Sequence, residues 1–149
     1  MKTLAIASVL FFFALTQAVS QNLFVNSYME KTQVSPKAGV QLGYQTSNNY
    51  EVGVFYQKEV DMANGHESNK PRFYEKEFIG IILASQIFAY QHFNVNLDVR
   101  IGAINKTNFA ITPSVKVDYE IIKRIHINAG MGVRSFKPTL QGGLRIDIH

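Results

Sequence analysis

FNVNLDVRIGA, residues 93–103, alternates without interruption: Phe93, Val95, Leu97, Val99, Ile101 and Ala103 fall on one side, Asn94, Asn96, Asp98, Arg100 and Gly102 on the other. Successive side chains of a strand point to opposite faces, so this segment is a strand with one apolar and one polar face. Either the apolar row lines a greasy interior beneath a wet surface, or it faces lipid around a polar interior. The rest of the chain decides between the two.

The same alternation recurs on both sides of this segment. Residues 37–46 place Ala38, Val40, Leu42 and Tyr44 opposite Lys37, Gly39, Gln41, Gly43 and Gln45. Residues 50–60 place Tyr50, Val52, Val54 and Tyr56 opposite Glu51, Gly53, Gln57 and Glu59, with Phe55 out of pattern. Residues 109–121 set Phe109, Ile111, Val115, Val117, Tyr119 and Ile121 against Thr112, Ser114, Lys116, Asp118 and Glu120. Residues 125–134 set Ile125, Ile127, Ala129, Met131 and Val133 against His126, Asn128, Gly130, Gly132 and Arg134. Residues 138–149 set Leu140, Leu144, Ile146 and Ile148 against Thr139, Gln141, Gly143, Arg145, Asp147 and His149. Two further strands are read at 22–31 and 72–88. The second is apolar on both faces near Ile79–Leu83, and its polar start, Tyr74–Glu77, is expected to stand in water as a hairpin arm. Pro113 has no N–H to donate, so a bulge or break is expected there.

Eight strands joined by short, turn-rich connections predict an all-β, antiparallel up-and-down barrel, because closure removes exposed edges. Seven glycines (39, 43, 53, 102, 130, 132 and 143) lie on the polar face. In water a strand glycine there gains nothing, whereas inside a narrow barrel it makes room for long neighbours. The charges of that face come in both signs: Asp98 with Arg100, Lys116 with Asp118, Arg145 with Asp147, and Arg134. They read as the ion pairs of a filled polar lumen. The opposite row, including Leu42, Val54, Leu97, Val99, Val117, Met131, Leu144 and Ile146, then faces lipid. Tyr44, Tyr50, Phe93 and Tyr119 fall at one rim and Tyr56 and Phe109 towards the other, as an interfacial girdle requires.

The start of the chain carries a separate message. Residues 1–20 have one charge, Lys2, an apolar run Leu4–Leu15, and a close of Ala18-Val19-Ser20. This is the pattern of a secretory signal peptide, leaving 21–149 as a single barrel domain. There is no cysteine, and the net charge of +4 is scattered among acids, which speaks against a nucleic-acid surface.

In these features the chain resembles small outer-membrane β-barrels of the OmpX/OmpA-transmembrane type. The sharpest piece is the C-terminus, where Gln141, Gly143, Ile146 and Ile148 follow the order of the family's assembly signal, with aliphatic residues in place of the usual aromatics and His149 trailing. The resemblance implies a location in the cell outer membrane, among outer-membrane lipid and the assembly machinery, with both termini in the periplasm. It also places residues 61–71, with Asp61, His66 and Lys70, in the one sizeable external loop. The 55–78 hairpin is then the surface expected to meet an envelope or surface protein.

His66, Glu67 and Ser68 share the external loop but read as loop polarity. His92, His126 and His149 share the periplasmic rim and read as exposed polar residues. No catalytic residue, cofactor or metal is assigned. The expected function is a non-enzymatic outer-membrane barrel with a structural or surface-interaction role. The alternatives are a secreted lipocalin-like carrier of an apolar ligand and a lipid A-modifying barrel enzyme.

Overall fold

In a computed structural model the described residues are 23–32, 35–46, 48–60 and 75–148. Eight antiparallel strands follow in chain order: β1 (Leu23–Lys31), β2 (Pro36–Gln45), β3 (Tyr50–Glu59), β4 (Glu77–Tyr90), β5 (Phe93–Ile104), β6 (Asn108–Ile122), β7 (Ile125–Arg134) and β8 (Lys137–Ile148). Each pairs with its neighbours in sequence, and β1 closes on β8 from Leu23↔Ile148 to Lys31↔Leu140. The signal-peptide reading, the assignments of Asp61, His66 and Lys70, and His149 lie outside the described residues.

Alternation decides the two sides of the wall. Inward residues of β6 run Ala110, Thr112, Ser114, Lys116, Asp118, all buried, while Ile111, Val115, Val117 and Tyr119 between them are exposed. The same inversion holds around the circle: among buried side chains are Glu30, Lys37, Glu51, Asp98, Arg100, Lys116, Asp118, Arg134 and Arg145. Most of the large aliphatic residues are exposed instead. An ordinary core has the opposite arrangement.

The short reversals that join β4 to β5, β5 to β6, β6 to β7 and β7 to β8 all carry left-handed backbone at non-glycine positions. In two of them both central residues have positive φ, Asn105 and Lys106 at 50° and 65°, and Ser135 and Phe136 at 50° and 63°. That is the hand that matches the twist of the flanking strands.

Pro113 breaks the pairing of its strand on one side only. It stays in register opposite Val99 of β5. On its other side the β6–β7 ladder runs from Ile122↔Ile125 only as far as Ser114↔Gly132, so the expected local break falls beside the proline, where no donor is needed. The register shifts lie elsewhere, between Gln86 and Phe88 and between Glu120 and Ile122.

The polar arm expected at Tyr74–Glu77 is also different where it is described. Glu77 already belongs to β4, and Glu75 turns inward: its carboxylate takes Lys37 at 2.7 Å and Arg134 at 3.3 Å. Two buried cations at the mouth attract that carboxylate more strongly than the open solvent does. The described part of the 55–78 hairpin is thus a lip of the barrel, and Lys76 and Glu77 donate their backbone N–H groups to Asn105 Oδ1 of the next turn.

Candidate functional site

The candidate site is the lumen, which is filled in two charged layers. The layer near the mouth away from the termini is built on Glu30 of β1. Arg100 of β5 donates Nη2 to Glu30 Oε1 at 2.8 Å, and Arg134 of β7 and Gln57 of β3 both donate to Oε2. Gln57 Oε1 accepts in turn from both arginines, at 3.4 and 3.2 Å. Arg134 Nε reaches Thr112 Oγ1 at 3.3 Å. With Glu75 and Lys37 at the lip, six strands and one connection converge on one hydrogen-bonded knot. Each buried charge has an opposite charge, and Glu30, Arg100 and Arg134 have further polar partners, the condition under which burial of ions is tolerated.

Beside this knot lies an apolar plug. Phe55, Phe78, Ile82, Ile104 and Ala110 form one buried cluster, with the Phe55 and Phe78 rings edge-on at 4.7 Å. The guanidinium of Arg134 lies over Phe78 at 4.6 Å and that of Arg100 lies near both Tyr28 and Phe55. Each arginine is therefore held on its flat face by a ring and at its edge by carboxylate or amide oxygens.

The second layer, towards the termini, gathers around Arg145 of β8. It pairs with Glu51, with Asp147 at 2.7 Å, and with Gln45 Oε1 at 3.0 Å, and stacks over Phe24 at 4.1 Å. His126 Nε2 meets the other Asp147 oxygen at 2.9 Å. Lys116 contacts Asp98 at 3.3 Å, and Asn96 donates to Asp118. Between the layers Asn128 donates to Asn26, and Asn26 to Gln41. The two layers differ in sign. Near the lip Lys37, Arg100 and Arg134 face Glu30 and Glu75. Near the termini Lys116 and Arg145 face Glu51, Asp98, Asp118 and Asp147. The acidic layer includes buried oxygens of Glu51, Asp98 and Asp118 with no hydrogen-bond donor among the described residues. A pocket of about 40 Å³ lined by Glu51, Asn96, Asp118 and Arg145 gives room for water beside Glu51 and Asp118.

The seven residues assigned to a lumen charge network therefore all lie inside, but not in the pairs read from the chain. Arg100 meets Glu30 and not Asp98, because side chains two apart on one strand stand at successive levels of the lumen and find partners across it. Asp98 goes to Lys116 on the adjacent strand, and Arg134 goes to Glu30. Only Arg145–Asp147 matches the proposed local pairing. The outward set places Leu42, Val54, Leu97, Val117, Met131, Leu144 and Ile146 exposed on the wall, with Val99 half-buried among them. Of the assembly-signal residues, Gln141 and Gly143 face inward and Ile146 and Ile148 outward. His92 stands by Glu120 at 3.7 Å and His126 by Asp147; they belong to two separate histidine–carboxylate pairs.

Sequence reading missed the hub, Glu30, and its companions Lys37, Gln57 and Glu75. It also took the lumen to be filled by charge alone, which the plug corrects. Both signals were present. Phe55 out of pattern and the two-faced apolar run at 79–83 are the plug seen one residue at a time. In β1, Phe24, Asn26, Tyr28 and Glu30 alternate as strictly as any other strand. The glycines serve aromatics as well as charges. A Cβ at Gly39 would lie 2.5 Å from the Tyr28 ring, and one at Gly43 would overlap Phe24. Gly80, opposite Gly102 in register, joins the inward set.

No protein-family model and no curated protein sequence matches the chain. Solved structures do. The N-terminal β-barrel domain of Pseudomonas aeruginosa OprF is 8% identical, with TM-score 0.65 over 87% of this chain and 98% of that one. The de novo designed barrel TMB2.3 is 13% identical, with TM-score 0.66 over 87% and 95%. A further chain, from work on the de novo design of transmembrane β-barrels, is 9% identical with TM-score 0.65 over 86% and 96%. At these identities the likeness is one of fold, and the fold is that of the eight-stranded transmembrane barrels.

Proposed function

We infer that the chain is a non-enzymatic outer-membrane barrel whose lumen is closed by its own side chains, and that its role is structural or one of surface interaction. The observation that carries this reading is the inversion of the wall. A continuous outward surface of Leu, Val, Ile, Met and Phe surrounds an interior of paired Arg, Lys, Asp and Glu. In water that surface would far exceed the apolar patches soluble monomers tolerate. A lipocalin-like carrier needs the same aliphatic rows on the inside, around a cavity; here they are outside, and the inside is filled by a polar network and a small apolar plug. An eight-stranded interior is just wide enough for side chains, so general solute passage is not the role. Ion pairing engages the lumen's arginines and most of its acids in holding strands together, which favours a structural use over catalysis. The order Gln141, Gly143, Ile146, Ile148 in the closing strand supports recognition by the outer-membrane assembly machinery. Outer-membrane lipid is the surrounding medium, and the mouth formed by the β3–β4 lip and neighbouring turns is the surface for an envelope partner.

Cell fractionation of the full chain tests this directly. The expected result is recovery with the outer membrane, extraction only by detergent, and a folded form that migrates differently on gels before and after boiling. A monomer that stays in buffer without detergent overturns the reading.

A further inference from the structure

The outer wall carries a groove with a cation at its end. Register aligns Leu97 of β5, Val115 of β6, Met131 of β7 and Leu140 of β8 in one row along the hydrogen-bond direction. The next step of that row, on β1, is Lys31. Two residues nearer the mouth, Pro113, Val133 and Pro138 form the parallel row, with Val133 and Pro138 in register. Short proline rings, and a β6–β7 ladder that ends at Ser114↔Gly132, leave the wall hollow between the rows. The resulting groove measures about 650 Å³, is open to the outside and is walled almost entirely by carbon.

We propose that this groove holds one acyl chain of a phosphate-bearing lipid, whose phosphate sits on the Lys31 ammonium. The proposal rests on the membrane reading above. Lys31 is exposed at the last residue of β1 and makes no ion pair among the described residues. It stands at the mouth end of the strand, at headgroup depth, where a lysine contributes favourably to binding of anionic lipid. From Leu97 to Lys31 the row crosses four strand spacings of ~4.8 Å, about 19 Å in all. Because strands of such barrels tilt by ~35–45°, the row climbs obliquely from mid-wall to rim. One leaflet of hydrocarbon is about 15 Å deep, half of ~30 Å, so an oblique chain of that length stays within it. An apolar trough at acyl depth that ends in a cation at phosphate depth matches a lipid and not a peptide, which would bring backbone donors and acceptors that the carbon walls cannot satisfy.

The test uses the full chain refolded in detergent, offered equal amounts of phosphatidylglycerol and phosphatidylcholine with identical acyl chains, and read by native mass spectrometry. One retained phosphatidylglycerol is expected on the native protein. Lys31→Gln should weaken that retention roughly fivefold, the worth of one lysine near a charged surface. Lys58→Gln, the outward lysine near the end of β3, should leave it unchanged. Val133→Phe, which fills the trough and keeps the charge, should lower retention of both lipids. Equal retention by the native protein and Lys31→Gln overturns the phosphate contact. Unchanged retention in Val133→Phe, or displacement by inorganic phosphate, overturns the trough. Heat-dependent gel mobility is read on each sample: a barrel that never folds into detergent overturns the membrane reading, whereas a normally folded one without lipid preference overturns this proposal alone.

Discussion

Glu30 and Arg100, seventy residues apart in sequence, meet at 2.8 Å across the lumen near its mouth, and Arg134 takes the second oxygen of the same carboxylate. The pair ties β1 to β5 and β7 across the lumen. Neither the hairpin connections nor the β-ladders impose that link.

Glu30→Gln should accordingly be the costliest isosteric change in the lumen. It leaves two buried guanidiniums without their shared anion, a loss on the order of 3–5 kcal/mol. Lys37→Met should cost less, because Glu75 keeps Arg134 at 3.3 Å when Lys37 is gone. Urea titration of the folded band in detergent checks the ranking; equal midpoints for the two variants would remove Glu30 from its central place.

Gly39 and Tyr28 face each other in register, and the ring occupies the space a Cβ would take. Gly39→Ala should destabilise by about 1–3 kcal/mol through overpacking. Tyr28→Ala should cost more by leaving a cavity. The double variant should cost clearly less than the sum, since each change relieves the other. Strict additivity in a double-mutant cycle would show that the ring does not depend on the glycine.

Leu97 and Val117 stand outward near the middle of β5 and β6. Arg at either site places a charge on the lipid face near the midplane, a cost of ~2–4 kcal/mol. Phe109→Arg, beside the β5–β6 turn, should cost only ~0–1 kcal/mol because it sits at the interface. The yield of the heat-modifiable form after refolding into vesicles reports the difference. The same yield for all three would place these rows away from lipid.

The Ser135–Phe136 reversal asks two L-residues for left-handed backbone, at φ 50° and 63°. Replacing the pair by Asn-Gly, the preferred sequence for a two-residue turn of this hand, should stabilise by about 1–2 kcal/mol. The measurement is the unfolding midpoint. A drop would assign Phe136, which is fully exposed, a contact outside the chain.

Strand positions were legible because alternation is a local property. β3, β5, β6, β7 and β8 lie within a residue or two of the segments read from the pattern, since each apolar step records a side chain pointing outward. Pro113 marked the end of pairing with β7 but not the unbroken register with β5, because a proline lacks a donor towards one neighbour only. The Tyr74–Glu77 stretch misled because local polarity does not reveal that two cations lie across the mouth from Glu75.

By itself, then, the sequence determined that the wall has two unlike faces, eight strands, and glycine on the polar side, because side-chain direction in a strand follows from its order alone. The tertiary structure alone decided who meets whom inside. Arg100 is two residues from Asp98 yet reaches Glu30, and Phe55 finds Phe78, because closing the sheet brings distant strands across a lumen only a few side chains wide. Within that confinement, partners are selected by height along the barrel axis and by charge, and separation along the chain no longer matters.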